Sequence, residues 1–497
     1  MEKMAVPVRL VHDFTRYDHL GSEYPYYWGD DPSNLHVDIA SALSAMQIRQ
    51  KIIDPVGIIE MLSRGYMLGQ RTLVKDLQKT PWRARPDGRG GWEYADVPAH
   101  GTETMPIEEL VREFRKAIEK EAVNCLHGLK RVGVLLSGGM DSRIVAGTLK
   151  SLQLSGEYAG DVVGLTWGVR DCRDVVYSEM VARQLGWERI HFELNPEMLR
   201  ENIEITGKMG AEFAPFHLHA LPIIAELKEL QLIIGGSYGD SVGRGEYSGT
   251  HVESLRSTVS NDLNSYGFVR ESIVRGAGDS IEGDAYSYRK YLKREKEYQY
   301  REVEYQMHCI RRRTQAVVAC IGRKIPFYQM FTAPDVFGLV WKLDPSVRND
   351  RLYAGLLKEL PGHLGDIPWA RTGRLFGISS GPGDHLPKEH HQYGRWLRNE
   401  LHDEIVTLVD NDAIRGLGVF NNETLDQMLK LWPRAKTLTS NVLDGSICWL
   451  ASLSVFVQRY QVKPVESGKV QLMDRWNAFS GLMKAWTYQT VRERFRA

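Results

Sequence analysis

Ser137, Gly138, Gly139, Met140, Asp141 and Ser142 are consecutive, and their types fit phosphate chemistry. Two adjacent glycines let a backbone approach an anion closely and adopt conformations other residues avoid. The N–H groups of a helix that starts there point at the anion. A carboxylate at Asp141 can hold the divalent cation that accompanies ATP. No Gly-Lys-Ser/Thr follows the glycines, so this is not the P-loop pattern. A second set, Gly235-Gly236-Ser237-Tyr238-Gly239-Asp240, repeats the theme further along the chain. If two such loops come from neighbouring strands, Asp141 and Asp240 flank a triphosphate. Two carboxylates with phosphate oxygens and water are a usual Mg²⁺ set. The same residues also suit plain strand-to-helix turns closed by an Asp cap.

These loops need strands before them and helices after them, and the pattern supplies both. Strand Val132–Leu136 leads to helix Ser142–Leu152, and strand Val162–Trp167 to helix Asp174–Leu185. A strand at Arg189–Glu193 follows, then helix Ala220–Leu230 and strand Leu232–Ile234. This alternation predicts an α/β fold with a doubly wound parallel sheet, whose ligands sit at the carboxyl ends of the strands. Helix Ile107–Leu126 is amphipathic through Leu110, Val111, Phe114, Ile118 and Val123. Beyond Gly249 the chain reads as helical. The tract Lys290–Tyr298 and the triplet Arg311–Arg313 read as a solvated helix face, and Gly377–Asp384 as a mobile loop. Residues 1–104 form a smaller α+β unit. It has a strand-like run Val8–His12, a helix over Asp54–Tyr66, a hairpin over Arg85–Tyr94 and a linker at Thr102–Pro106. Residues 105–497 form the second unit.

Length and composition set the bounds. The chain has 497 residues, 43% hydrophobic and 25% charged, which suits two globular domains. Lys+Arg and Asp+Glu both number 63, so no general electrostatic affinity for nucleic acid or a membrane is expected. Five scattered cysteines (Cys125, Cys172, Cys309, Cys320, Cys448) form no Cys-x-x-Cys pair, which fits a reducing cytoplasm. The N-terminus has no signal-peptide core, and Ile447–Val457 is too short to span a bilayer. It reads as a buried helix. His217, His219, His390 and His391 lack companion ligands at metal-binding spacing.

Together the loops resemble the SGGxDS and S-G-E-G-x-D motifs of the asparagine synthetase family. Its relatives include β-lactam synthetases and lasso-peptide cyclases. Ser137–Ser142 match the first motif in full, and Gly236 and Asp240 match the second. Asp174–Gly186, Ile325-Pro326-Phe327 and Asp366–Gly373 resemble further family segments. The resemblance runs from about residue 105 to about 460. It implies an adenine nucleotide α-hydrolase-like (HUP-type) fold and an AMP-forming, ATP-dependent carbon–nitrogen ligase. A substrate carboxylate attacks the α-phosphorus of ATP, and ammonia or an amine then displaces AMP. By resemblance, Ser137–Ser142 bind pyrophosphate, Leu136, Trp167, Gly235 and Gly236 bracket adenine and ribose, and Asp141 and Asp240 hold Mg²⁺. Intramolecular lactam or peptide-macrocycle formation is an alternative. A tRNA-modifying enzyme and a non-catalytic nucleotide-binding protein are alternatives of other classes.

The chain departs from the family in several places. Residue 2 is Glu and no cysteine precedes Cys125, so no glutaminase of its own is expected. Residues 1–104 then resemble a degenerate glutaminase (Ntn-type) domain, a structural cover or the surface for a homodimer or docking partner. Gly235 stands where the family usually has Ser, Ser237 where it has Glu, Tyr238 where it has Gly, and Gln329 where it has Asp. A serine hydroxyl is a poor base at neutral pH, which leaves Glu246, Tyr238 and Glu212 as candidates by position. The family's late lysine aligns near Arg351–Tyr353. Arg371 is the preferred replacement cation, ahead of Arg351, Lys358 and Arg374.

Overall fold

Alternate residues of the central strands divide between two cores, and that division builds the fold. The computed structural model describes residues 25–29, 32, 34–45, 51–260, 262–322, 324–438, 440–466 and 471–496. Its central sheet has five strands: β1 (Arg131–Leu135), β2 (Asp161–Gly168), β3 (Glu188–Glu193), β4 (Leu232–Gly235) and β5 (Phe327–Gln329). All pair in parallel, in the order β5-β4-β1-β2-β3. Val132, Val134, Leu232 and Ile234 face one side. There they pack on helices α1 (Ile107–Leu126), α2 (Met140–Ser155) and α3 (Arg173–Leu185). Val163, Leu165 and Ile233 face the other side, towards α4 (Pro196–Lys208) and the long helix α7 (Val442–Tyr460). A parallel sheet apolar on both faces must be covered on both, so the α/β, doubly wound reading holds.

Element limits mostly agree with the sequence pattern to within a few residues. One element does not. The helix expected over Ala220–Leu230 is a single turn, Leu221–Ile224. After it, bonds from the N–H of Leu227 to Ile224 O and of Leu230 to Leu227 O fold the chain tightly towards β4. Leu221, Ile224 and Leu230 still join the core on that sheet face, together with α4, whose N-cap Asn195 accepts from the N–H of Met198 and whose first residue is Pro196.

Within the first hundred residues, Tyr26–Trp28 pairs antiparallel with Leu77–Lys79, and Ala84–Pro86 with Trp92–Tyr94. The run Val8–His12 lies outside the described residues. Helix Pro55–Arg64 starts at the Asp54 cap and stops at Gly65, whose φ of 81° is the left-handed turn glycine accepts. Ile58, Ile59 and Leu73 share one core with Leu199 and Phe213 of the second half. The stretch expected as a linker is tied down: Gly101 and Glu103 donate to the carbonyls of Trp341 and Lys342.

The basic tracts are a clear correction. Lys290–Tyr298 is not one helix, because a short 3-10 turn ends at Lys290 and the next helix starts at Glu297. Arg311 and Arg312 are buried, in a π-helical stretch Tyr305–Gln315. Arg312 donates to the carbonyls of Gly69 (2.9 Å) and Arg71 (2.6 Å), and Arg311 to that of Thr80. A guanidinium carries several donors in a fixed fork, so it can satisfy carbonyls of a segment that has few strand partners. Charge counting could not distinguish this clasp from a solvated face.

Glu60 makes one pH consequence testable. Its side chain is buried; Oε2 accepts from the N–H of Leu68 at 3.0 Å and Oε1 has no partner. Burial, then the Asp284 charge, push its carboxyl up to about 8 from 4.5. The folded state therefore holds this proton more tightly than the unfolded chain. Its contribution to stability is complete below pH 4.5 and is lost as pH rises through about 8. Chemical denaturation from pH 5 to 8 should show Glu60→Gln losing less stability than wild type, by up to about 1.4 kcal/mol per pH unit. Parallel pH profiles of the two proteins would contradict this burial argument.

Candidate active site

The chain leaves β1 towards β2 and β3, then returns to β4 on the other side of β1. The carboxyl ends of β1 and β4 therefore flank a topological switch point, the crevice where open α/β sheets bind ligands. A cleft of about 340 Å³ lies there. The first loop contributes Leu136, Ser137, Gly139, Met140, Asp141 and Ser142. Trp167 comes from the end of β2, and Gly236, Ser237 and Asp240 from the second loop. Asp174, His219, Trp369 and His390 complete the wall.

The first loop is shaped by its own side chains. Ser137 N–H donates to Ser142 Oγ at 3.2 Å, and Gly139 N–H to Ser137 Oγ at 3.1 Å. Gly138, which is not part of the wall, donates its N–H to Asp174 Oδ1 at 3.0 Å. Helix α2 begins at Met140 with no side-chain cap, which leaves its first turn available to an anion. Buried Arg143 fixes the loop from behind. Its guanidinium donates to the carbonyls of Gly138 (3.0 Å), Leu364 (3.1 Å), Ile367 (2.6 Å) and Pro368 (2.5 Å). The Asp366–Gly373 segment is thereby held against Gly138, whose carbonyl also accepts from Ala370 N–H at 3.1 Å.

The two loops touch. Asp240, on helix α5 (Gly239–Arg244), donates its backbone N–H to Asp141 Oδ2 at 3.1 Å. A Cβ on Gly239 would lie 2.5 Å from Asp141 Cγ, so only glycine permits this approach. Tyr238 is the other unusual residue. Its φ of 77° is in the left-handed region, which explains why a glycine suits this position in the family motif. The tyrosine is held there by burial and by Gln306 Nε2, which donates to its hydroxyl at 2.6 Å. Gly235 lies behind the wall, where a Cβ would sit 2.6 Å from Gln329 Oε1. That oxygen accepts from Ser237 N–H at 3.0 Å.

Both aspartates resist ionisation. Burial, and then the charge of Asp240, hold the Asp141 carboxyl well above the usual range. Burial also raises Asp240, with Glu246 adding to the effect and Arg244 opposing it. Arg244 Nε donates to Asp240 Oδ1 at 3.0 Å and the same guanidinium reaches Glu246 and Asp350. Among the described residues, no lysine or arginine lines the cleft. Asp141 Oδ1 is buried without a well-formed hydrogen bond, beside the hydroxyl of Tyr353. This donor set fits a hard divalent cation. Among the described residues no group of three or more His, Cys, Asp or Glu could hold an ion unaided. A cation at this pair needs phosphate oxygens or water as further ligands.

Other candidates fall at different places. Arg371 is at the rim: it is half exposed, pairs with Glu246 and lies 5.3 Å from the Trp369 ring centre. Arg351 is exposed on helix α6 (Asp350–Glu359), which sends Tyr353 towards Asp141 instead. Lys358 is exposed, and Arg374 bonds the carbonyls of Ser379 and Gly381, anchoring the Gly377–Asp384 loop. Glu246 is engaged by Arg244 and Arg371, and Glu212 is ion-paired with Lys79 at 2.7 Å away from the cleft wall. Burial raises the Tyr238 hydroxyl, which makes it a poor acid and leaves no accessible phenolate. Residues not anticipated are Arg143, Asp174, Tyr353 and Trp369. His219, His390 and His391 also come together: His219 stacks on Trp167 at 5.5 Å between ring centres, with His390 5.3 Å and His391 6.3 Å away. Burial depresses His219 well below its ordinary value, and His391 to about 3. Trp167 and His219 are 52 positions apart and His219 and His390 are 171 apart, so spacing carried no signal.

The raised carboxyls yield a stability test. As pH rises above 3.8, the unfolded aspartates ionise before the folded pair does, so the metal-free protein loses stability. Asp141→Asn removes one of the two charges and keeps an oxygen to accept the Asp240 N–H. In EDTA at pH 7.5 (about neutral), its melting temperature should equal or exceed that of wild type. Addition of Mg-ATP should raise the wild-type value and leave that of the variant unchanged. A variant less stable in EDTA, or still stabilised by Mg-ATP, would count against the pair as a cation site.

Comparison with known proteins locates this geometry in a family. Residues 113–305, which include both loops and strands β1 to β4, match the family model described as asparagine synthase. No curated protein sequence matches the chain significantly. The family consists of ATP-dependent, amide-forming ligases. Residues 113–305 of this chain are therefore an asparagine synthase-family synthetase domain.

Proposed function

We propose that the protein activates a carboxylate as its acyl-adenylate and passes the acyl group to ammonia or an amine. The observation that carries this reading is the contact of Asp141 with Asp240 at the switch-point cleft. An Asp pair that resists bearing two charges is suited to a site that fills with Mg-ATP. In this reading Asp141 and Asp240 would hold Mg²⁺, which would supply positive charge to offset that of the phosphates. The loop Ser137–Ser142 and the uncapped start of α2 hold the pyrophosphate portion. Leu136, Trp167 and Gly236 bracket the nucleoside, while Gly235 lies behind the wall and backs Gly236. Arg371, at the rim beside Trp369, is the cation assigned to charge developing on the phosphates, with Arg351 as the second candidate.

The chain's task is then positioning and electrostatics. The substrate carboxylate attacks the α-phosphorus in line with departing pyrophosphate. The amine next attacks the acyl carbon, AMP leaves, and the amine's proton must be accepted in the cleft. Ser237 is ill suited to that, whereas the His390 imidazole lies in the wall. The described part of residues 1–104 serves as a cover on the synthetase part, with which it shares a core through Ile58, Ile59 and Leu73. Intramolecular ring closure uses the same two steps with both groups on one molecule.

A screen of carboxylates for ATP–pyrophosphate exchange, followed by amines for AMP and amide formation, tests the reading. Asp141→Ala and Asp240→Ala should each reduce exchange by about a hundredfold or more, with unchanged circular dichroism. Exchange that persists in both variants would overturn the site. Substrate use abolished by ribonuclease would point to tRNA modification instead. ATP binding with no pyrophosphate release for any acid would leave a nucleotide-binding protein.

A further inference from the structure

The last helix, α8 (Leu472–Arg496), has two faces of opposite character. One face is locked to the body. Ala478 and Ala485 are buried, and a Cβ on Gly481 would meet Tyr266 O at 2.1 Å. Asp474 accepts from the N–H groups of Glu271 and Gln471, and Asn477 donates to Glu271. The other face carries Leu472 (83% exposed), Trp476 (63%), Phe479 (55%), Met483 (44%) and Trp486 (53%). These residues follow one another at intervals of 4, 3, 4 and 3. That is the a/d spacing of a helix that packs along another helix. It differs from the inward face, so it is not the overflow of the core.

We infer that this stripe is a self-association surface, on which a second copy of the chain docks through its own α8. Three observations favour that occupant. First, the spacing asks for a helix, and α8 is itself a firmly anchored apolar helix of matching length. Second, the area is sufficient. With Met473 the six side chains, three of them aromatic, offer on the order of 700 Å² of surface, close to the roughly 800 Å² per partner of a standard interface. Third, the charge does not suit an anionic membrane. Among the described side chains flanking the stripe, the cations are Lys484, already paired with Asp262 at 3.0 Å, and Arg475 at one edge, which do not form a cationic collar for lipid headgroups. An antiparallel pairing about a two-fold axis at Phe479 places the Leu472 end of each helix against the Trp486 end of the other. Such an interface is isologous and closed, so it stops at a dimer.

Sedimentation velocity and light scattering on the full chain, across micromolar concentrations, read the outcome. Wild type should run at twice the chain mass. Trp476→Glu combined with Trp486→Glu should run as a monomer, its dimer dissociation constant raised at least about a hundredfold. Phe479→Ala, a milder change at an exposed site, should raise it by about thirtyfold while the circular dichroism spectrum stays the same. A monomeric wild type overturns the inference, and so does a dimer that survives both variants. Cosedimentation of monomeric wild type with phosphatidylserine vesicles would also overturn it, in favour of a lipid surface.

Discussion

Two carboxylates held against each other at the mouth of a parallel sheet set the terms for the rest of this structure. Like charges in a partly desolvated site cannot both ionise cheaply. The contact between Asp141 and Asp240 therefore needs a rigid frame, and the frame can be followed residue by residue. Gly239 lets the second loop come within reach, and the Asp240 N–H supplies the hydrogen bond that fixes the first carboxylate. Arg244, buried and shared by three acids, offsets part of the charge from the far side. What Arg244 leaves uncompensated faces the cleft.

The same frame extends backwards through Arg143 and Arg312, two buried guanidiniums whose hydrogen bonds go to backbone carbonyls, with the Glu212 carboxylate 3.6 Å from Arg312 as well. Arg143 joins four carbonyls and so welds the late Asp366–Gly373 segment to the loop that starts α2. Arg312 joins Gly69 and Arg71 to the second half of the chain. Each removes several unsatisfied acceptors from irregular backbone at once, which a lysine's single ammonium could not do in the same geometry.

Legibility from sequence tracks the range of the interaction concerned. Strands β1, β2 and β4 were legible because burial on both faces writes apolar runs into contiguous residues, and helix α1 because burial of one face writes helical periodicity. The two glycine loops were legible because strand, turn and helix start are adjacent in the chain. The Leu221–Ile224 turn was not, since its helical composition is overridden by the need to enter β4 at once. Arg311 and Arg312 were misread because their partners are backbone carbonyls more than two hundred residues away, and a carbonyl leaves no trace in composition. The histidines around Trp167 were weighed only as a metal set, and Tyr353 was not singled out, because the side chains they meet lie far off in the chain.

The departures from the family motif become coherent when taken together. Gln329 extends further than an aspartate would, and its amide oxygen occupies the space a side chain on residue 235 would need. Glycine at 235 and glutamine at 329 are thus one exchange. It leaves the second loop tethered through Ser237 N–H without a charge. Serine at 237 works in the same direction. The cleft already holds Asp141, Asp174 and Asp240, and no lysine or arginine reaches its wall among the described residues. A glutamate at 237 would add a fourth carboxylate facing a polyanionic nucleotide. A neutral hydroxyl there lessens that repulsion.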